Sequence, residues 1–261
     1  MARLAALSAV LGMVLAPGLA PAFQPLITDD TGTQGTGGNQ LEGSLARSSD
    51  RLPPGTNVNR AAAVVYTRGL TDAFDLFLGH THQRSAPAGA TAESGWSNPA
   101  LGAKWRFYDD EKSKLSFALR PELQLPVSRG KEARGLGRAN ASWRLDLLMT
   151  KETGFGALHA NLASTRLNFE ADALNAATRR SQTRVSVAPV WDLGEQWKLA
   201  LDAGIATNPD RAEKRRMGYF EFAAIYAPSK DLDLALGLIR NTSDGPVKST
   251  QLTAGMTWRF N

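Results

Sequence analysis

The chain has 261 residues, no cysteine, 21% charged residues and a formal net charge of +5. Without thiols it has neither disulfides nor thiolate metal sites, and its interspersed charges offer no basic tract for nucleic acid. A mean hydropathy of -0.26 resembles that of a soluble protein, but a membrane-spanning β-barrel also has such a value, because half its strand residues face water.

The first stretch, Met1-Ala-Arg followed by an uncharged run from Leu4 to Leu19 and then Ala20-Pro21-Ala22, predicts a secretory signal peptide over residues 1–22. The run is broken by Gly12, Pro17 and Gly18 and is too short for a spanning helix, and no later window approaches twenty apolar residues. Residues 23–39 are rich in Gly and Thr and have no periodicity, which predicts a periplasmic tail or a small plug folded back into a barrel. In the plug reading Asp29 and Asp30 pair with luminal arginines.

From Gln40 onward, two-residue alternation predicts about twelve strands. They are expected at residues 40–47, 58–68, 74–83, 100–107, 115–126, 138–150, 155–165, 182–193, 196–207, 219–227, 232–240 and 251–260. The last is the clearest. Leu252, Ala254, Met256, Trp258 and Phe260 share one face, and Gln251, Thr253, Gly255, Thr257 and Arg259 share the other. A strand divided this way suits a sheet between lipid and a polar lumen.

Connection lengths alternate as well. Gly69–Asp72, Asp109–Lys114, Lys151–Gly154, Gly194–Glu195 and Pro228–Asp231 are tight polar turns. The intervening connections, 48–57, 84–99, 127–137, 166–181, 208–218 and 241–248, are mostly longer and richer in Pro, Gly and charge. Short periplasmic turns and long outer loops in strict alternation are what an outer-membrane barrel makes, and a soluble sandwich has no reason to sort its loops this way. Trp105, Phe107, Trp143, Trp191, Trp197, Phe220, Tyr226, Trp258 and Phe260 lie on the apolar face, mostly near strand ends, as expected for two interfacial girdles.

Several segments resemble one family: Pro25–Gly35 with Gln40-Leu41-Glu42, Gly69-Leu-Thr-Asp72, Leu101–Phe107 and Ala118–Pro126. They are similar to the outer-membrane barrels grouped as the meta-pathway phenol-degradation family, commonly labelled transporter. The resemblance covers nearly the whole mature chain, and Ile27-Thr-Asp-Asp-x-Gly-Thr-Gln-Gly35 is its most specific piece. It implies a barrel of this strand count in a Gram-negative outer membrane and a part in taking up or handling small, often aromatic, compounds. It brings no catalytic residues. Asn261, after the terminal aromatic, departs from the signature that the barrel-insertion machinery recognises.

Charges of both signs recur on the polar faces, and Arg106, Arg120, Glu122, Arg144, Asp146, Asp202 and Glu221 are the candidates for a luminal, selectivity-setting constellation. Either they line a conduit or they neutralise one another in a filled lumen. His159 and Asn161 share the luminal face with no serine at matching spacing, so a hydrolase triad is not formed. His80 and His82 alternate on one strand without a visible third metal ligand and read as polar groups near the outer rim.

The sequence therefore predicts a monomeric, all-β, twelve-stranded transmembrane barrel over residues 40–261, with no enzyme activity, cofactor or metal. Its expected function is passive passage of small solutes, aromatic or hydrophobic ones among them, and its expected surroundings are outer-membrane lipid and lipopolysaccharide. The alternative is a structural or adhesive barrel with a filled lumen, acting through basic outer loops at Arg179-Arg180 and Arg211–Arg216.

Overall fold

The structure, a computed structural model, describes residues 25–52, 55–242 and 247–261. The expected signal peptide at residues 1–22 lies outside the described residues. Thirteen strands run in chain order: β1 (Asn39–Leu52), β2 (Gly55–Thr71), β3 (Phe74–Ala86), β4 (Glu93–Trp96), β5 (Ala100–Asp110), β6 (Leu115–Gln124), β7 (Ser142–Thr153), β8 (Gly156–Arg166), β9 (Ser181–Asp192), β10 (Trp197–Thr207), β11 (Arg216–Ser229), β12 (Leu232–Asn241) and β13 (Lys248–Phe260). Two short helices, α1 (Arg129–Ala133) and α2 (Asp172–Ala177), lie between β6 and β7 and between β8 and β9.

Every barrel strand pairs antiparallel with its sequence neighbours, and β1 also pairs with β13, from Asn39↔Phe260 to Arg51↔Lys248. That pairing closes a ring of twelve strands, while β4 sits outside the ring as a flap on the outer end of β3. Closure leaves the ring itself without an edge, and this is what permits a sheet to cross a bilayer with its backbone groups satisfied.

The side chains are sorted inside out relative to a soluble protein. Leu45, Leu78, Val185, Ile205, Leu236 and Leu252 stand on the outer wall, with Leu236 the most exposed at 66%. Glu42, Asp75, Arg120, Glu122, Asp146, Asp202 and Glu221 are buried within. The two-residue pleat alone accomplishes this, because adjacent residues of a strand point to opposite faces.

The two rims differ. Turns at Asp72-Ala73, Glu111–Lys114, Gly154-Phe155, Leu193–Gln196 and Lys230-Asp231 mark the short-turn, periplasmic rim, where β1 begins and β13 ends. Register shifts at Gly69/Thr71, Arg106/Tyr108 and Tyr226/Ser229 fall at this rim too. Bulges there increase local twist where the ring must turn its corner.

Three sequence expectations are corrected. The connection expected at 48–57 is mostly strand, since β1 and β2 pair out to Leu52↔Gly55. The outer connections also carry β4, α1 and α2, elements too short for periodicity to reveal. Finally, the aromatics do not form two equal girdles. Trp105 with Phe107, Phe155 with Trp191, Trp197 with Tyr226 and Trp258 with Phe260 all pair near the periplasmic rim, at centroid distances of 5.8, 5.9, 4.8 and 4.6 Å. Phe220 sits higher on β11, and Trp143, the second residue of β7, is one of few near the outer rim.

Candidate functional site

The lumen holds the chain's own residues 25–38. The segment enters at the periplasmic rim, rooted on the end of β2: Gly37 N–H donates to Gly69 O at 3.0 Å and Gly69 N–H donates to Gly38 O at 2.9 Å. A Cβ on Gly69 would lie 1.8 Å from Gly35 O, so only glycine admits this approach, and Gly35 and Gly37 supply the positive φ values, 73° and 83°, of the entry turn. Asp72, in the turn after β2, accepts from the Thr36 hydroxyl at 2.7 Å and the Thr36 amide at 2.9 Å. These bonds hold its carboxyl below the usual carboxylate range.

Farther in, polar side chains of the strands satisfy the backbone of the segment. Gln34 N–H donates to both Asp75 oxygens at 3.1 and 3.2 Å, and Thr31 N–H donates to Thr150 Oγ1 at 3.1 Å. Thr28 is gripped most fully. Its amide and hydroxyl donate to the two Asp202 oxygens at 2.6 and 2.8 Å, and its hydroxyl lies 2.8 Å from Ser186 Oγ. The Tyr219 hydroxyl reaches the same carboxylate at 3.1 Å, and Ile27 N–H donates to Glu221 Oε2 at 3.3 Å. Asn161 clasps the Asp29 peptide, accepting from its N–H at 2.6 Å and donating to its carbonyl at 2.9 Å. A segment without secondary structure needs such partners, because an unpaired buried amide costs as much as a lost hydrogen bond.

Apolar contacts finish the seal. Leu26 packs against inward-facing Ala188, Val190, Ala200 and Ala223, and Ile27 packs against Tyr219 and Ile239. Alanines at positions 188, 200 and 223 leave the room that Leu26 fills.

The predicted charges fall into three groups. Arg120, Glu122, Arg144 and Asp146 meet across the β6–β7 pair, where Arg120 faces Asp146 and Glu122 faces Arg144 in register. Arg120, 0% exposed, lies 3.3 Å from Glu122, 3.6 Å from Asp146 and 4.1 Å above the Phe77 ring, and Arg144 lies 2.7 Å from Asp146. Asp29 joins this group at 3.6 Å from Arg120 and 3.1 Å from Lys104, while Asp30 lies 3.6 Å from Lys104. Asp202 and Glu221, cross-strand neighbours, hold the inner segment instead. Arg106 stands apart. At the bulged end of β5 it reaches Asp72 O and Asp109 at the periplasmic rim and takes no part in the central cluster.

Beside the segment lies a cavity of about 290 Å³ with Glu42, Thr67, Asp75, Phe77, Lys104 and Asp233 among its walls. His159 bonds Thr150 at 2.9 Å, His80 stacks on Trp96 of β4 at 4.5 Å, and His82 meets the same ring edge-on at 5.5 Å. No group of three or more His, Asp or Glu placed to hold a metal occurs among the described residues.

Sequence reasoning did not single out Thr28, Thr31, Gln34, Asp72, Ser186 or Tyr219, although the first three lie in the segment that carries the family resemblance. It also missed Glu132 of α1. Buried in the outer loops, its carboxylate accepts from the amides of Ala139, Glu170 and Ala171 at 2.6, 3.1 and 2.9 Å, tying two loops together.

A closed antiparallel ring with an apolar outer wall and a charged interior defines an outer-membrane β-barrel. The family model described as "Putative MetA-pathway of phenol degradation" matches residues 28–260, and the chain belongs to that family. Among solved structures it is similar to an outer membrane channel from Pseudomonas putida F1, with a TM-score of 0.73 and 14% identity over 88% of this chain and 98% of that one. The NanC porin gives a TM-score of 0.57 and 8% identity over 83% and 98%. The transport unit of the autotransporter AIDA-I from Escherichia coli gives 0.56 and 9% over 98% and 99%. At these identities the likeness is one of fold. Sequence comparison with curated proteins gives no match.

Proposed function

We propose that this barrel is a monomeric passive channel for small solutes, aromatic ones among them, and that residues 25–38 are its plug. The carrying observation is the way the plug is held. Asp202, Glu221, Asp75 and Asn161 bond its backbone, while the contacts of Leu26 and Ile27 are two small apolar patches. Polar bonds of this kind exchange for bonds to water when the plug leaves, and the carboxylate bonds and the Asp29 ion pairs set how seldom it does so. Once it is out, the lumen is a polar conduit whose Arg120–Arg144 cluster sets selectivity. The aromatic cargo follows the family description alone.

A second reading, a filled barrel acting through its outer loops, is favoured by one feature: Arg120, Glu122, Arg144 and Asp146 pair so closely that they occupy the middle of the lumen. Planar-bilayer recording of the refolded protein separates the two. Deleting residues 24–38 is expected to raise single-channel conductance, with steps that a phenolic solute blocks. A deleted protein that is folded, heat-modifiable and silent would overturn the channel and leave the filled barrel.

A further inference from the structure

On the outer wall, near the ends of β8, β9 and β10, five arginines converge. Arg166, Arg179, Arg180, Arg211 and Arg215 line one open pocket of about 460 Å³ together with Ser181 and Thr207, and no carboxylate lines it. Like charges gathered this closely repel, and a protein surface ordinarily disperses them or pairs them with acids. Their arrangement is built in. The β8–β9 and β10–β11 loops are stitched together by Arg179 N–H to Pro209 O at 2.7 Å, Arg211 N–H to Ala177 O at 3.0 Å and a bridge between Thr178 and Asp210. The Arg179 guanidinium reinforces the stitch by donating to the carbonyls of Asn208, Asp210 and Glu213. Arg211 adds to it, its Nε–H donating to Thr178 O at 3.1 Å, so Arg179 and Arg211 are scaffold and Arg166, Arg180 and Arg215 present charge to the pocket.

The position of the pocket selects the ligand. Arg166, Ser181 and Thr207 lie on the same outward faces as Leu162, Val185 and Ile205, the apolar residues that meet lipid. The outer wall therefore changes from apolar to cationic within one or two side-chain spacings, at the level where lipid headgroups begin. Guanidinium groups bind phosphate oxygens in a fork geometry that lysine does not match. Near this rim few aromatics stand, whereas the periplasmic rim carries the paired girdle.

We propose that the pocket binds the phosphate groups of an outer-leaflet glycolipid and so fixes the barrel's seating in the membrane. A free phosphate ion carries the same chemistry, and the location outside the barrel, above the lipid-facing wall, favours the lipid. The test uses the full refolded protein in detergent and native mass spectrometry with three probes: diphosphoryl lipid A, the same lipid without phosphates, and inorganic phosphate. The variant is R166Q/R180Q/R215Q, which leaves the Arg179 and Arg211 scaffold intact. Arg47→Gln with Arg51→Gln, on outward positions of β1, is the control.

The wild type and the control are expected to hold diphosphoryl lipid A about tenfold more tightly than the triple variant, with affinity falling as salt rises. Removing the lipid phosphates should bring the wild type to the variant's level, and inorganic phosphate equimolar with the lipid, at fixed ionic strength, should leave the lipid bound. Equal binding by wild type and variant would overturn the site. Displacement by inorganic phosphate would overturn the lipid as its ligand. Should the triple variant fail to fold, Arg215→Gln alone is measured, with the same directions expected at smaller size.

Discussion

At the residue scale, one carboxylate concentrates the hold on the inner segment. Asp202 accepts from the Thr28 amide, the Thr28 hydroxyl and the Tyr219 hydroxyl. Asp202→Asn keeps the shape but removes the charge and turns one acceptor into a donor that faces other donors. Hydrogen bonds to charged groups contribute about 1.5–3 kcal/mol each, so a loss of roughly 2 kcal/mol corresponds to about a thirtyfold rise in the fraction of time the lumen is open. Single-channel recording measures that fraction directly. Glu221→Gln, which loses part of one 3.3 Å bond, should act in the same direction and more weakly. An Asp202→Asn channel as quiet as the wild type would mean that the grip lies elsewhere.

At the scale of elements, each strand has one face for lipid and one for the lumen, and the cost of a charge should depend on which face and what depth it meets. Leu236, fifth of the ten residues of β12 and strongly exposed on the outer wall, is the deepest test. Leu236→Arg should cost about 2–4 kcal/mol and Leu252→Arg, nearer the outer rim, about 1 kcal/mol or less, following the depth dependence of charges on barrel surfaces. Denaturant unfolding of the barrel in lipid vesicles measures both. Equal costs would contradict the placement of the outer wall in the membrane.

The same alternation explains what was legible in the sequence. Strands such as β13 declare themselves because lipid and lumen demand opposite chemistry at successive residues, and all twelve barrel strands overlap their expected ranges. The girdle was readable only by half. Trp191, Trp197 and Tyr226 sit beside short turns and Trp258 lies two residues from the end of β13, a side preference visible in the sequence but masked when aromatics are simply counted near strand ends. The five and six residues of α1 and α2 are too few to show a helical period. Arg106 was grouped with the luminal charges by parity, which is correct for direction; parity carries no depth, and the bulge beside it leaves it at the rim. Most hidden was the inner segment. Its partners Asp75, Asn161, Ser186 and Asp202 are all distant in the chain, and an extended stretch satisfied by side chains leaves no periodic trace.

At the scale of the molecule, a rigid closed ring surrounds a segment joined to it covalently only at β1. The ring has continuous antiparallel pairing around its circumference, and the segment is held by side-chain bonds and two small apolar clusters. Local opening free energies follow that difference in contact, so the segment is the part expected to move while the barrel stays intact. The measurement that tests this most directly exploits the absence of native cysteine. Thr28 Oγ1 and Ser186 Oγ lie 2.8 Å apart, so Thr28→Cys with Ser186→Cys places two thiols within reach of a disulfide. Planar-bilayer recording of this double variant should show discrete openings under reducing conditions and none once it is oxidised, with full recovery on reduction. Equal conductance in the two states, with the disulfide verified by mass, would contradict the account of residues 25–38 as the movable closure of the channel.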